Sequence, residues 1–523
     1  MFAKFELCRA GLVQADLETK HTRSNKGCLE CRQRKRKCDQ QRPFCGGCRK
    51  RESAFRPPNI LCTWPSFTQS DQESCASPSS YGSVSSSDTA MLSGSDDNQK
   101  CYKDLNIITT NQPNRSQVSI LTSRYPNVPK SLNSFFSPEF ASPQELRILE
   151  FLVARFDTIT APSYLDRRMT ILAQALPLAA TSPPLAYAFL ACGSALMSKM
   201  TSKDAEYQLS RCFQTKAISR ISSDMMTSPT EVIALAVMLL HIFEETYCDI
   251  ENPNLYHLKG GLALMDLAIA RGPLITTIQH MAMELYLYHI ARSSTFSGVK
   301  SEPLPDDYIS SRLIVLDLSA GSQGKEPSWR SDSFLGFTPE LFDIVFRLSL
   351  LRRKVPLQHL DQVKANQIAS RLKDLRPRLF SMEGLPPVAF SEFPPDMLYT
   401  AQLYHLACAL LLLKICKVSL CENDLEVQII IEEAMQIFRT VSLAGLRSPP
   451  LAWPLLILSC GTTKRADQQL LRSPIEYSSM ADRLGSSMYT LRFLDCVWHG
   501  DGGNNGVGLD ALFHDELLCT VFF

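Results

Sequence analysis

Six cysteines stand within 35 residues: Cys28, Cys31, Cys38, Cys45, Cys48 and Cys62. No other feature of the 523 residues narrows the possibilities as much. Six thiols in so short a segment either pair as disulfides or hold metal. The N-terminus carries Glu6 and Arg9 where a secretory signal needs an apolar run, so the expected compartment is reducing. Clustered cysteines in a reducing compartment read as metal ligands. Two Cys-x2-Cys pairs, Cys28/Cys31 and Cys45/Cys48, each let neighbouring thiolates grip one tetrahedral ion, and zinc prefers such ligands. Two separate four-ligand sites need eight thiolates. Six suffice if two of them bridge both metals. Such a site is coordinatively closed and offers no position to substrate or water, which counts against a metal-dependent enzyme.

The charge around these cysteines points the same way. Between Arg23 and Arg51, eleven Lys and Arg face only Glu30 and Asp39, a formal +9 in a chain of net +1, so the rest sums to −8. Six thiolates and two Zn²⁺ together add −2, which leaves the segment at about +7, suited to a phosphate-dense duplex. A basic arm on a mildly acidic body is the electrostatic footprint of a nucleic-acid-binding protein. A RING, a zinc ribbon or a classical finger would need eight ligands or histidines, and no His occurs between residues 22 and 240.

The spacing, the basic run Arg32–Lys37 and the stretch Lys37-Cys38-Asp39-Gln40-Gln41-Arg42-Pro43-Phe44-Cys45 resemble the fungal zinc binuclear cluster family. That resemblance implies two zinc ions per chain, with Cys28 and Cys45 as the bridging ligands. One ion would take Cys28, Cys31, Cys38 and Cys45, the other Cys28, Cys45, Cys48 and Cys62. It implies short helices after the second and fifth cysteines, the first of which enters the major groove. Arg34 and Lys35 would then read guanine edges of CGG-like triplets, while Arg32 and Lys37 hold phosphates. Pro43 would turn the chain between the two halves. It further implies a nuclear RNA polymerase II transcription factor governing a metabolic or secondary-metabolite pathway. The basic run doubles as a nuclear localisation signal. One departure stands out: thirteen residues separate Cys48 from Cys62, where the family usually has six to nine. Lengthening a loop costs little, and Thr63-Trp64-Pro65 fits the family's exit, so Cys62 is expected as sixth ligand rather than Cys75.

Composition divides the chain into an unstructured start (1–22), the zinc cluster (23–65), a flexible Ser-rich linker (66–131) and a large all-α regulatory domain (132–523). Twelve serines between Ser66 and Asn98, with few large apolar residues, cannot bury enough surface to order that stretch. No sustained heptads follow the cluster, so no coiled coil is expected there. Beyond it, Ser142-Pro-Gln-Glu145, Ser228-Pro-Thr-Glu231 and Ser473-Pro-Ile-Glu476 each read as a capping box opening a helix. After Ser228, Val232–Phe243 is apolar nearly all round, the mark of a central helix. Further apolar helical stretches cover 183–200, 203–222, 256–271, 276–292, 340–353, 397–420, 425–442 and 450–461, with polar loops near 295–335 and 370–395. The expected fold is mostly α. No apolar run reaches membrane-span length: the closest, Leu406–Ile415, contains Lys414. Cys192, Cys408 and Cys460 read as small core residues.

The helical part resembles the fungus-specific transcription factor regulatory domain, loosely from 145 to 515. The likeness rests on Pro177–Met200, on Ile233–Glu245 followed by Tyr256-His257-Leu258-Lys259-Gly260-Gly261, on Trp453–Gly461 with Arg465–Arg472, and on Val497-Trp498. His257, Gly260 and Gly261 read as packing residues rather than a ligand site. Gly506-Val-Gly508 mimics a dinucleotide fingerprint but lacks the strand that should precede it. With no nucleophile elbow, P-loop or zinc-protease motif, no enzyme is expected. The expected partners are double-stranded DNA and a second copy of the chain, paired through the helical body, and no membrane. The rival reading is a small-molecule-sensing helical scaffold whose zinc segment is only structural.

Overall fold

Ser142 opens the first described helix with a capping box. Its hydroxyl accepts from the Glu145 backbone N–H (3.2 Å), while Glu145 Oε2 accepts from the Ser142 N–H (3.3 Å) and hydroxyl (2.6 Å). Pro143 follows with φ already set for a helix. The computed structural model describes residues 142–521 apart from 202–203, 247–255, 275, 297–303, 322–332, 337, 382–393, 442–448, 482–484, 500–505 and 520. The six cysteines, the four basic residues Arg32, Arg34, Lys35 and Lys37, the linker and the expected boundaries at 22, 65 and 131 lie outside the described residues. The chain divides into units Met1–Ser93 and Gly94–Phe523, and the described residues all belong to the second.

Those residues form helices and, among the described residues, no strand. In order they are α1 Pro143–Thr160, α2 Ile171–Ala179, α3 Pro183–Thr201, α4 Asp204–Asp224, α5 Thr230–Thr246, α6 Tyr256–Arg271, α7 Thr277–Phe296 and α8 Tyr308–Gly321. Then follow α9 Glu340–Arg352, α10 His359–Arg376, α11 Pro395–Cys416, α12 Leu425–Thr440, α13 Ala452–Ser459, α14 Arg465–Ala481, α15 Gly485–His499 and α16 Asp515–Leu518. Neighbours in sequence pack as hairpins, α3 with α4 and α5 with α6 most extensively. Longer-range layers run from α5 to α7, α7 to α9, α9 to α11 and α11 to α13, and α15 returns onto α5 and α13. As its all-round apolar run requires, α5 is central: Val232 through Phe243 are all buried.

One core continues through these layers. Near its middle Trp453 is fully buried, stacked on Tyr404 with ring centroids 5.4 Å apart and planes 8° from parallel. Its indole N–H donates to Thr295 Oγ1 (2.9 Å). Ser349 Oγ donates to the Val345 carbonyl (2.8 Å), so the Thr295 hydroxyl donates to Ser349 (2.7 Å) and the chain of bonds is complete across α13, α7 and α9. Helix α11 is long and apolar enough to cross a bilayer, longer than the run read from sequence. Since 72% of its apolar window is buried inside the body, it is a core helix. Lys414, expected to interrupt that run, is itself buried: its ammonium donates to the Val418 carbonyl (2.6 Å), the Leu420 carbonyl (2.8 Å) and Asp510 Oδ1 (2.6 Å). All three of its donors are used.

Several expectations need correction. Helix α5 begins one residue late: the Pro229 carbonyl accepts from the Val232 and Ile233 N–H groups, so Pro229 rather than Ser228 stands at the cap. Ser473-Pro474 opens nothing; it lies inside α14. There Ser473 Oγ bonds back to the Gln469 carbonyl (2.7 Å) and Glu476 pairs with Arg472 Nε one turn earlier (2.6 Å), so both polar groups are satisfied within a continuing helix. The expected polar loop at 295–335 contains α8, and the one at 370–395 begins with the end of α10. Only Ala365, Ile368, Leu372 and Leu375 of α10 are buried, a narrow stripe in a charged helix. Neighbours fix its charges: Arg371 on Asp343 (2.6 Å), Arg376 on Glu433 (2.7 Å) and Lys364 on Asp306.

Candidate functional site

The block at 256–261 resolves into three different roles. His257 Nδ1 lies 2.9 Å from Glu244 Oε2 and ties the start of α6 to the end of α5. Gly261 packs directly on Tyr286 of α7. A Cβ added there would stand 1.9 Å from the phenol oxygen and 2.0 Å from Cζ. The Tyr286 hydroxyl in turn donates to the Ala234 carbonyl of α5 (2.6 Å), so Gly261 is the space through which α7 reaches α5. Gly260 faces outward with nothing near an added Cβ, so the packing expectation holds for Gly261 and not for Gly260. The fingerprint-like Gly508 has φ +57° and presses against Glu422, opening a short 3₁₀ turn, Gly508–Phe513, rather than a phosphate loop.

Beside these glycines, α5 and α7 enclose a polar cluster that motif reading missed. His241 and Glu245 lie one turn apart on α5; His289 and Arg292 lie on α7. Arg292 Nη2 donates to Glu245 Oε1 (2.6 Å), and Nη1 lies 3.2 Å from the Tyr288 hydroxyl. His241 Nε2 is 3.2 Å and His289 Nδ1 3.7 Å from the same Glu245 oxygen. Burial would by itself push the Glu245 carboxyl up, yet Arg292 and the two imidazoles hold it well below the usual range. His289 is lowered to about 4, chiefly because burial disfavours its charged form. The available signal was the pair His241 and Glu245, four apart in a run otherwise apolar.

A second buried carboxyl, Glu284 on α7, holds the turn at 333–335. Its oxygens accept from the Ser333 hydroxyl (2.8 Å) and the Phe334 N–H (2.8 Å). Burial raises it to about 7 despite those donors. A carboxyl held above its unfolded value stabilises the fold while protonated, so its contribution is complete below pH 4.5 and lost as the pH rises through 7. Relative to Glu284→Gln, the wild-type chain should lose up to about 3 kcal/mol between pH 5 and 8. Parallel urea unfolding curves of the two chains across that range check it; parallel stabilities would contradict the assignment.

Cys192, Cys408 and Cys460 are buried, and burial pushes all three thiols up, so they behave as core residues. Two families match the chain. The fungal-specific transcription factor domain covers residues 158–510, and the fungal Zn(2)-Cys(6) binuclear cluster domain covers residues 26–55. The second match includes Cys28, Cys31, Cys38, Cys45 and Cys48 and stops before Cys62. No curated protein and no solved structure matches the chain. Both families are transcription-factor domains, and a cluster domain of this kind binds zinc and DNA. With well over half its length matched by the regulatory domain and the cluster ahead of it, the chain belongs to the fungal-specific transcription factor domain family and is a zinc-cluster, DNA-binding transcription factor.

Proposed function

We propose that this factor works in the nucleus and reads CGG-like triplets through residues 28–62, with two zinc ions held by Cys28, Cys31, Cys38, Cys45, Cys48 and Cys62. Arg34 and Lys35 read base edges; Arg32 and Lys37 hold phosphates. The observation that carries this reading is the basic run Arg32–Lys37 lying between the second and third cysteines, inside the matched cluster domain. One cluster touches too few base pairs for a unique genomic address, so two chains pair through the helical body. Exposed Leu360 of α10 and exposed Leu425 and Ile429 of α12, on helices that both flank α11, support that pairing.

Site selection from random duplexes with the full chain should return CGG-like triplets, two per site. Lys35→Ala should cost about 1–3 kcal/mol and flatten the preference, whereas Lys37→Ala should weaken all sequences alike and reduce the salt slope by about one unit. Cys62→Ser should lose zinc where Cys75→Ser keeps it. An unchanged preference in Lys35→Ala refutes the base-reading assignment, and zinc loss in Cys75→Ser instead moves the sixth ligand.

A further inference from the structure

The cluster between α5 and α7 has the composition of a metal site. A divalent ion of the zinc class binds imidazole nitrogen at about 2.0–2.1 Å and carboxylate oxygen at about 2.0–2.2 Å, so donors around it stand roughly 3.0–3.5 Å apart. Glu245 Oε1 lies 3.2 Å from His241 Nε2 and 3.7 Å from His289 Nδ1, and the three donor atoms all fall within 4.8 Å of one another. Both imidazoles are buried, at 3% and 6% exposure. His241 Nε2 is buried and meets the Glu245 carboxylate at 3.2 Å, outside the geometry of a well-aligned hydrogen bond. A buried imidazole nitrogen left without a hydrogen bond is costly unless something else occupies its lone pair. The imidazoles meet edge to face, 5.1 Å between centroids and 87° between planes. Glu245 keeps 15% of its side-chain exposure, more than either imidazole.

One group opposes a metal. Arg292 Nη2 sits on two of the donors the ion would use, 2.6 Å from Glu245 Oε1 and 3.3 Å from His289 Nδ1, and two cations cannot share them cheaply in a buried setting. Arg292 has an alternative partner, since its Nη1 already lies by the Tyr288 hydroxyl and its guanidinium lies 5.1 Å from the centre of that ring. We propose that His241, Glu245 and His289 form a second metal site, in the regulatory body, for a divalent ion of the zinc class, and that Arg292 fills the cation position when the ion is absent. Metal entry then moves Arg292 off Glu245 Oε1 and couples ion binding to the α5–α7 contact. This goes beyond the six-cysteine cluster and shares no residue with it.

The test uses the untagged full chain with all cysteines intact. Given two equivalents of Zn²⁺, enough for the cysteines alone, and then titrated with Co²⁺, the wild-type chain should develop visible absorption of a nitrogen- and oxygen-bound ion without a thiolate charge-transfer band. The chain carrying His241→Ala and His289→Ala should not. Arg292→Met should bind the extra ion about tenfold more tightly. Its melting temperature, lowered because Glu245 loses its counter-ion, should be restored by Zn²⁺ only while both histidines are present. A purely structural ion-pair network would be weakened by Arg292→Met and gain no metal. Identical Co²⁺ spectra for the wild-type and double-histidine chains overturn the proposal even if Arg292→Met fails to fold. The zinc count at the cysteines, measured separately, reports on the DNA-binding cluster alone.

Discussion

Replacing Gly261 by alanine is expected to destabilise the helical body by about 3 kcal/mol, while the same change at Gly260 should stabilise it by about 0.5–1 kcal/mol. The two positions are adjacent in one helix and chemically identical, so intrinsic helix propensity favours alanine equally at both. What separates them is the other side of the contact. At 261 the new methyl would lie inside the Tyr286 ring, and moving that ring breaks its 2.6 Å bond to the Ala234 carbonyl. At 260 the methyl meets nothing. Chemical denaturation of both variants decides the matter. Equal effects at the two sites would mean that α6 does not approach α7 along Gly261.

Trp453→Ala should cost about 3–5 kcal/mol, the range for removing a large buried aromatic side chain. The loss combines the cavity, the stack on Tyr404 and the donor to Thr295. Trp453→Phe keeps most of the volume and the stack but leaves the Thr295 hydroxyl without its donor, and should cost about 1–2 kcal/mol. The double change Trp453→Phe, Thr295→Val should fall short of the sum of the two single effects, because the indole and the hydroxyl belong to one chain of bonds. Additive effects in that cycle would show that the chain of bonds carries no coupling.

What could be read from the sequence was what is local or repeated. The capping box at Ser142 involves four consecutive residues and nothing else, and it formed as written. The all-round apolar run of α5 declared its central place because every direction from that helix meets protein. The same serine–proline signature failed at Ser473, where the hydroxyl donates to the Gln469 carbonyl one turn earlier in a continuing helix instead of accepting from an N–H at a helix start. Helix α10 was hidden for the opposite reason. Its charged start went unassigned and its last turns fell in the expected polar loop at 370–395; it makes a helix because Asp343, Asp306 and Glu433 wait on α9, on the approach to α8 and on α12. The polar cluster was half visible: His241 and Glu245 announce themselves at helical spacing, but His289 and Arg292 lie more than forty residues away and join them only through the packing of α7 on α5. The cluster domain was legible without any fold, because its cysteines, Cys28 through Cys48, stand in a recognisable spacing within the matched residues 26–55.

Lys414 ties the Gly508–Phe513 turn into the core. Its ammonium holds the turn at 418–420 with two bonds and the Gly508–Phe513 turn with the third, so residues almost a hundred positions apart share one charge. A premature stop codon just upstream of Gly506 would therefore do more than shorten a tail. It would strip a buried cation of its counter-ion at the tip of a core helix and deprive Arg352 of its bond to the Leu512 carbonyl and its pairing with Asp515. Late frameshifts in the gene should accordingly behave as loss-of-function alleles through degradation of the product, whatever the zinc cluster at the other end retains.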